Sequence, residues 1–135
     1  MLKTVKEFVT AVQTGDQAKL AALIHPAIKW HQPGNNRISG IKTPNADVFQ
    51  MVGSMFEISQ GSLALTDIKF VAANGNTAAY LLHWKAQRPG AVLDLENIDV
   101  YTVENGQIIE AKIYSEDVVE ENHFWGKWIP PRVLT

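Results

Sequence analysis

Asn-Gly occurs twice in the second half of the chain, at Asn74-Gly75 and Asn105-Gly106, each time between runs rich in β-branched and aromatic residues. This is the strongest short-range signal for a β-hairpin, because tight hairpin loops need residues that tolerate positive φ. A third turn, Arg88-Pro89-Gly90, falls between them. The intervening segments, Leu63 to Ala73, Thr77 to Gln87, Leu93 to Glu104 and Gln107 to Tyr114, are therefore expected to form an antiparallel meander.

Before residue 60 the apolar period changes from two to about 3.6. Val5, Phe8, Val9 and Val12 mark one face of a helix that Thr14-Gly15 ends, since glycine accepts the left-handed conformation common after a helix. Asp16 is placed to cap a second short helix, with Leu20, Leu23 and Ile24 on its apolar side and Pro26 stopping it. A short strand, Ala27 to Gln32, precedes the turn Pro33-Gly34-Asn35-Asn36. Thr43-Pro44 reads as an N-cap followed by proline at the first helical position. That third helix runs to about Ser59, with Val48, Val52, Met55 and Phe56 on one face. After Asp117 a last helical turn is expected through His123-Phe124-Trp125, and the tail Trp128-Ile129-Pro130-Pro131 cannot be regular helix. Helices first and antiparallel strands afterwards is an α+β order.

With 135 residues, 46 % of them hydrophobic and 19 % charged, the chain suits one domain with its own core. The net charge of −2 and the lack of a basic run argue against a nucleic-acid partner. There are no cysteines, which excludes disulfides and thiolate chemistry. The four histidines, His25, His31, His83 and His123, show no metal-ligand spacing, so no metal is expected. No apolar run approaches a membrane span and the N-terminus lacks an apolar signal core, so the expected location is the cytoplasm.

The string Ile28-Lys29-Trp30-His31-Gln32-Pro33-Gly34, the later Gly40, the Asn-Gly turn and the closing Phe124-Trp125-Gly126 resemble the SnoaL-like branch of the nuclear-transport-factor-2-like superfamily, across roughly residues 5–126. Ketosteroid isomerases and polyketide cyclases belong to that superfamily. The resemblance implies one domain over residues 1–135, with 127–135 as a C-terminal tail. It implies a cone-shaped α+β barrel, a curved, mostly antiparallel sheet wrapped around the N-terminal helices. It also implies a homodimer packed through the outer sheet face and a pocket inside the cone. Where ketosteroid isomerases carry a carboxylate base at the end of the first strand, this chain has His31. Where they carry a neutral aspartic acid, it has Asp99, within Ile98-Asp99-Val100. Where they carry a tyrosine on the first helix, it has Phe8, without the hydroxyl. One of the three positions is retained, and steroid isomerase activity is not implied.

Alternation along a strand sends every second side chain to one face. With Asp99 inward, Leu95, Asn97 and Tyr101 join it. The family register favours Leu81, His83 and Lys85 inward on the preceding strand, with Tyr80, Leu82 and Trp84 on the face a dimer buries. Ala111, Ile113 and Ser115 would line the last strand, and Phe8, Val12 and Phe56 the helical side. Such a lining, apolar with a few convergent polar groups, is that of a ligand pocket. The whole set depends on register, because a one-residue slip exchanges the faces.

His31 and Asp99 are the candidate catalytic residues. A positioned histidine is the commonest general base, although His31 also fits a hydrogen-bonded histidine at a strand end. Asp99 could donate a proton if burial raised its pKa, or stay ionised beside His31, His83 or Lys85. His83 and Lys85 fit either a pocket or a solvated face. Asp117 fits either the pocket or the N-cap of the last helical turn. Trp30 alternates with His31 and is expected to pack against a helix. The reaction class that follows is isomerase or cyclase-type proton transfer on a small apolar carbonyl compound, without a cofactor. The alternatives are a non-catalytic small-molecule binding protein and a dimeric scaffold whose cone is filled.

Overall fold

The computed structural model describes residues 1–127. The expected tail from Trp128 onward lies outside them. The order of elements is α1 (Leu2–Thr14), α2 (Gln17–Leu23), β1 (Ile24–Gln32), β2 (Gly40–Lys42), α3 (Asn45–Ile58), β3 (Ala64–Asn74), β4 (Thr77–Arg88), β5 (Ala91–Glu104), β6 (Gln107–Ser115) and α4 (Val118–Trp125). The six strands form one open mixed sheet in the order β2-β1-β6-β5-β4-β3. All pairs are antiparallel except β1 with β6. The expected α+β meander is present, and the short edge strand β2 is an addition that no turn signal announced.

Local chemistry accounts for the boundaries. Gly15 takes φ 71° and ends α1 in the left-handed cap. The Asp16 side chain accepts from Lys19 N at 3.1 Å and starts α2. The third helix begins one residue later than expected, with Pro44 itself at the N-cap. Pro26 lies inside β1 rather than stopping a helix, where the pairing with β6 is irregular between Ile24 and Lys29, as suits a residue with no N–H for a ladder. Among the described residues no helix is long and apolar enough to cross a membrane.

The helices cover one face of the sheet. Val5, Phe8 and Val9 of α1 and Val48 and Met51 of α3 pack with Ile28, Leu82, Leu93, Tyr101, Ile108 and Ala111 of the strands. Phe124 and Trp125 bring α4 onto the same core.

Register settles which side chains face that core, and it corrects two expectations. Directly opposed residues of an antiparallel pair point to the same face. Tyr80 opposes Asp99, Leu82 opposes Asn97 and Trp84 opposes Leu95. The inward set of β4 is therefore Ala78, Tyr80, Leu82, Trp84 and Ala86, whereas Leu81, His83 and Lys85 lie on the outer face. Likewise Trp30 pairs with the fully buried Ala111, while His31 pairs with the exposed Lys112. His31 is thus outward, because Trp30 takes the inward position next to it.

Candidate functional site

Four alternate residues of β5, Leu95, Asn97, Asp99 and Tyr101, all face the core and are buried. Asp99 is 3 % exposed, so its carboxyl has been taken almost wholly out of water. The Tyr101 hydroxyl donates to Asp99 Oδ2 at 2.6 Å, the short distance of a charge-assisted O–H···O contact. The Tyr101 ring is fixed by Phe8, edge-on at 5.3 Å between centroids, and by Trp30 at 6.4 Å. Trp30 in turn donates its Nε1 proton to Gln32 Oε1 at 2.9 Å. Tyr80 of β4 and Ile113 of β6 flank Asp99 in register. The sequence therefore has no hydroxyl on α1 at Phe8, but places one against the same aspartate from within β5.

A second carboxyl lies nearby. Glu121 is on the core face of α4, three and four residues before the buried Phe124 and Trp125, and is itself 3 % exposed. Asp117 starts this helix, its carboxylate accepting from Glu120 N at 3.0 Å. Arg88 holds the other end, donating to the backbone oxygens of Phe124 at 2.7 Å and His123 at 2.8 Å. Trp125 Nε1 donates to Glu121 Oε1 at 3.4 Å. Three buried acceptors have no partner among the described residues: Asn97 Oδ1, Asp99 Oδ1 and Glu121 Oε2.

Burial drives the electrostatics. Desolvation pushes the Asp99 pKa up from 3.8 to about 7; the Tyr101 hydrogen bond pulls it back and the Glu121 charge raises it further. Desolvation, then the Asp99 charge and hydrogen bond, hold Tyr101 well above the usual phenol range. Desolvation also raises Tyr80. Glu121 is raised chiefly by burial, with hydrogen bonds from Ser115 and Trp125 opposing and the charges of Glu120 and Asp117 reinforcing. A carboxyl near neutrality on an apolar face can either release or accept a proton at physiological pH.

Phe8, Leu95, Asn97, Asp99, Tyr101 and Ile113 are all buried, with Ser115 half-buried opposite Asn97 and Val12 half-buried against the core. The structure does not bring His31 to Asp99. His31 Nε2 lies 3.1 Å from Glu110 Oε2 on the outer face. His83, also outward, meets Asp94 at 2.5 Å and Glu96 at 3.8 Å. Lys85 is exposed opposite Asp94, and Leu81 opposes Ile98 on the outer face. Phe56 is 44 % exposed, because the packed face of α3 runs through Val48, Met51, Val52 and Met55. Asp117 is exposed and acts as the N-cap of α4. Among the described residues no three His, Asp or Glu side chains converge to hold a metal ion.

Tyr80 and Glu121 are the residues that sequence reasoning missed. A signal existed for each. Pro89-Gly90 is a two-residue loop closed by Arg88 and Ala91, and counting back from it sets Tyr80 opposite Asp99. Glu121 shares helical spacing with Phe124 and Trp125. The centre is covered: one surface hollow of about 320 Å³ lies at His25, Lys29 and Glu104, and another of about 440 Å³ at Ser59, Gln87 and Pro89. Neither is lined by Asp99.

Comparison with known proteins places this geometry in a family. The family model of the SnoaL-like domain matches residues 5–111. The chain belongs to the SnoaL-like family. The crystal structure of a protein of unknown function with a cystatin-like fold from Xanthomonas campestris is 36 % identical at a TM-score of 0.88, covering 93 % of this chain and 98 % of that one. An NTF2-like protein from Burkholderia xenovorans is 18 % identical at a TM-score of 0.75, covering 93 % and 95 %. IdmH from Streptomyces antibioticus, a proposed polyketide cyclase, is 17 % identical at a TM-score of 0.70, covering 88 % and 94 %. The sheet of this SnoaL-like chain has the curved NTF2-like arrangement, left open between β2 and β3.

Proposed function

We propose that this chain catalyses cofactor-free proton transfer on a small apolar carbonyl compound, in an isomerase or cyclase type of reaction, with Asp99 as the acid-base residue. The observation that carries this reading is the Asp99 carboxyl, buried on an apolar face, raised to about 7 and held by the Tyr101 hydroxyl. Ionised Asp99 would take a proton from the carbon beside the carbonyl, leaving an enolate. The same proton, returned to another carbon of the enolate, completes an isomerisation. Attack of the enolate on a second carbonyl carbon, with the proton passed to the new alkoxide, completes a cyclisation. Tyr101 orients the carboxylate, and Tyr80 offers a second hydroxyl on the neighbouring strand. His31 has no part in this scheme, since it faces away.

The test follows exchange of the acidic C–H for deuterium by NMR, over a panel of enolisable aromatic and alicyclic ketones in heavy water. Wild type should accelerate exchange for some members, and Asp99→Asn should slow it by about 100-fold or more, the usual contribution of a positioned acid-base group. Exchange that is unaffected by Asp99→Asn, or no acceleration across the panel, rejects the reading.

The covered state of Asp99 favours a second reading, a scaffold whose interior is already filled by Phe8, Trp30 and Tyr101. It predicts that no compound in the panel raises the melting temperature. Under either reading the partner of the outer face is a second copy of the chain. Ile98 and Tyr114 are 41 % and 56 % exposed there and oppose each other in register, with Leu81 beside Ile98.

A further inference from the structure

Three side-chain oxygens without a partner among the described residues lie along one stretch of the inner face. Asn97 and Asp99 are alternate residues of β5. Ser115 of β6 opposes Asn97 and lies beside Glu121. Asn97 Oδ1, Asp99 Oδ1 and Glu121 Oε2 are all buried acceptors. Two nearby donors are engaged: Tyr101 on Asp99 Oδ2 and Trp125 on Glu121 Oε1. A buried acceptor left without a donor costs free energy comparable to a lost hydrogen bond. While the carboxyls are ionised, the three together make an acceptor-rich patch, which is the opposite of an oxyanion hole. The chemistry that relieves this is a ligand O–H.

We propose that Asn97 and Glu121, beside Asp99, form a subsite that accepts hydrogen bonds from a hydroxyl group of the ligand, so that the carbonyl compound taken up also bears a hydroxyl on its apolar body. The inference rests on the reading that the inner face is the ligand site. Glu121 contributes from α4, which the Asp117 cap and Arg88 hold at its two ends. The subsite thus reads the hydroxyl end of the molecule while Asp99 meets the reacting end. The apolar body is left to Phe8, Trp30, Leu82 and Ile113, which face the same core.

Isothermal titration calorimetry with matched probes tests this. 2-Naphthol carries the hydroxyl, and 2-methoxynaphthalene has it blocked as a methyl ether. Wild type should bind 2-naphthol about tenfold more tightly, the size expected of one to two net hydrogen bonds to carboxyl groups. Glu121→Leu should cut that preference to about threefold or less and leave the ether's affinity unchanged. Asn97→Ala, on a strand rather than on α4, should lower the preference in the same direction, and serves if Glu121→Leu does not fold. Equal affinity of wild type for the two probes, or a preference that survives both substitutions, overturns the subsite and leaves the ligand site standing. A wild type that binds neither probe rejects the ligand site itself.

Discussion

The Tyr101 hydroxyl donates to Asp99 Oδ2 across 2.6 Å from two residues further along β5, while its ring stands edge-on to Phe8 at 5.3 Å between centroids. Residues two apart on a strand share a face, so both groups come from one rigid element, and the phenyl ring of Phe8 buttresses a phenol it does not itself carry. Removing that hydroxyl isolates its effect. Tyr101→Phe should move the Asp99 midpoint further above about 7, because the bond that lowers it is gone. The Asp99 carboxyl carbon, followed by NMR titration, reads this directly. An unchanged or lower midpoint would show that the hydroxyl does not stabilise the carboxylate.

Asp99 also makes stability depend on pH. Its folded pKa, about 7, lies above the unfolded value near 3.8. Between those values the folded state holds the proton more tightly, so stability falls as pH rises through the interval and levels off above it. A shift of this size corresponds to about 4 kcal/mol at most. Wild type should therefore melt at a higher temperature at pH 5 than at pH 8, and Asp99→Asn should flatten most of that slope. Calorimetric melts across the range check it; an equal slope in the variant would place the effect elsewhere.

Glu121 should behave as a group that costs stability in its present setting. Burial raises it and one oxygen has no partner. Glu121→Gln removes the charge while keeping the shape, and should raise the midpoint of urea unfolding at pH 8 more than at pH 5. The comparison of the two pH values separates charge from packing. A variant destabilised equally at both would mean that the carboxylate is a needed structural partner.

The turn after β1 is locked to α4. Gly34 has φ +91°, and a Cβ there would meet Asn122 Oδ1 at 2.7 Å and Asn36 Nδ2 at 2.8 Å. Those atoms are bonded to each other at 2.9 Å, and Asn122 Oδ1 also accepts from Asn35 N at 2.8 Å. Gly34→Ala should cost about 1–3 kcal/mol, from the backbone conformation and the broken network. Gly90, at φ +83° with open space around it, should cost less when changed to Ala. Urea unfolding of both variants gives the ranking, and equal losses would deny the Asn122 network any part.

The outer face should carry self-association. Sedimentation equilibrium of wild type should give a dimer, and Ile98→Lys with Tyr114→Lys should give a monomer, since two buried ammonium groups without partners are costly. A monomeric wild type would remove the proposed interface.

Much of the fold was legible because local chemistry dictates it. Asn74-Gly75, Pro89-Gly90 and Asn105-Gly106 each close a hairpin, and Gly15 and Asp16 separate the first two helices. The face of β5 came from the resemblance, which put Asp99 inward; alternation then carried Leu95, Asn97 and Tyr101 to the same face. The face of β4 was not legible. Tyr80, Leu82 and Trp84 alternate with Ala79, Leu81 and His83, and apolar residues occupy both sets, so periodicity had no preference. His31 was misplaced for a related reason: it and Trp30 compete for one inward position, and the larger apolar area won the core.

By itself, then, the sequence determined the elements, their turns and the alternation that puts Asp99 and Tyr101 on one face, since these depend on neighbours in the chain. Only the tertiary structure decided which face of β4 and β1 turns inward, and that Glu121 of α4 lies close enough to Asp99 to raise it. Strand pairing and helix docking join residues distant in sequence, and in a strand a shift of one residue exchanges every side chain between core and solvent.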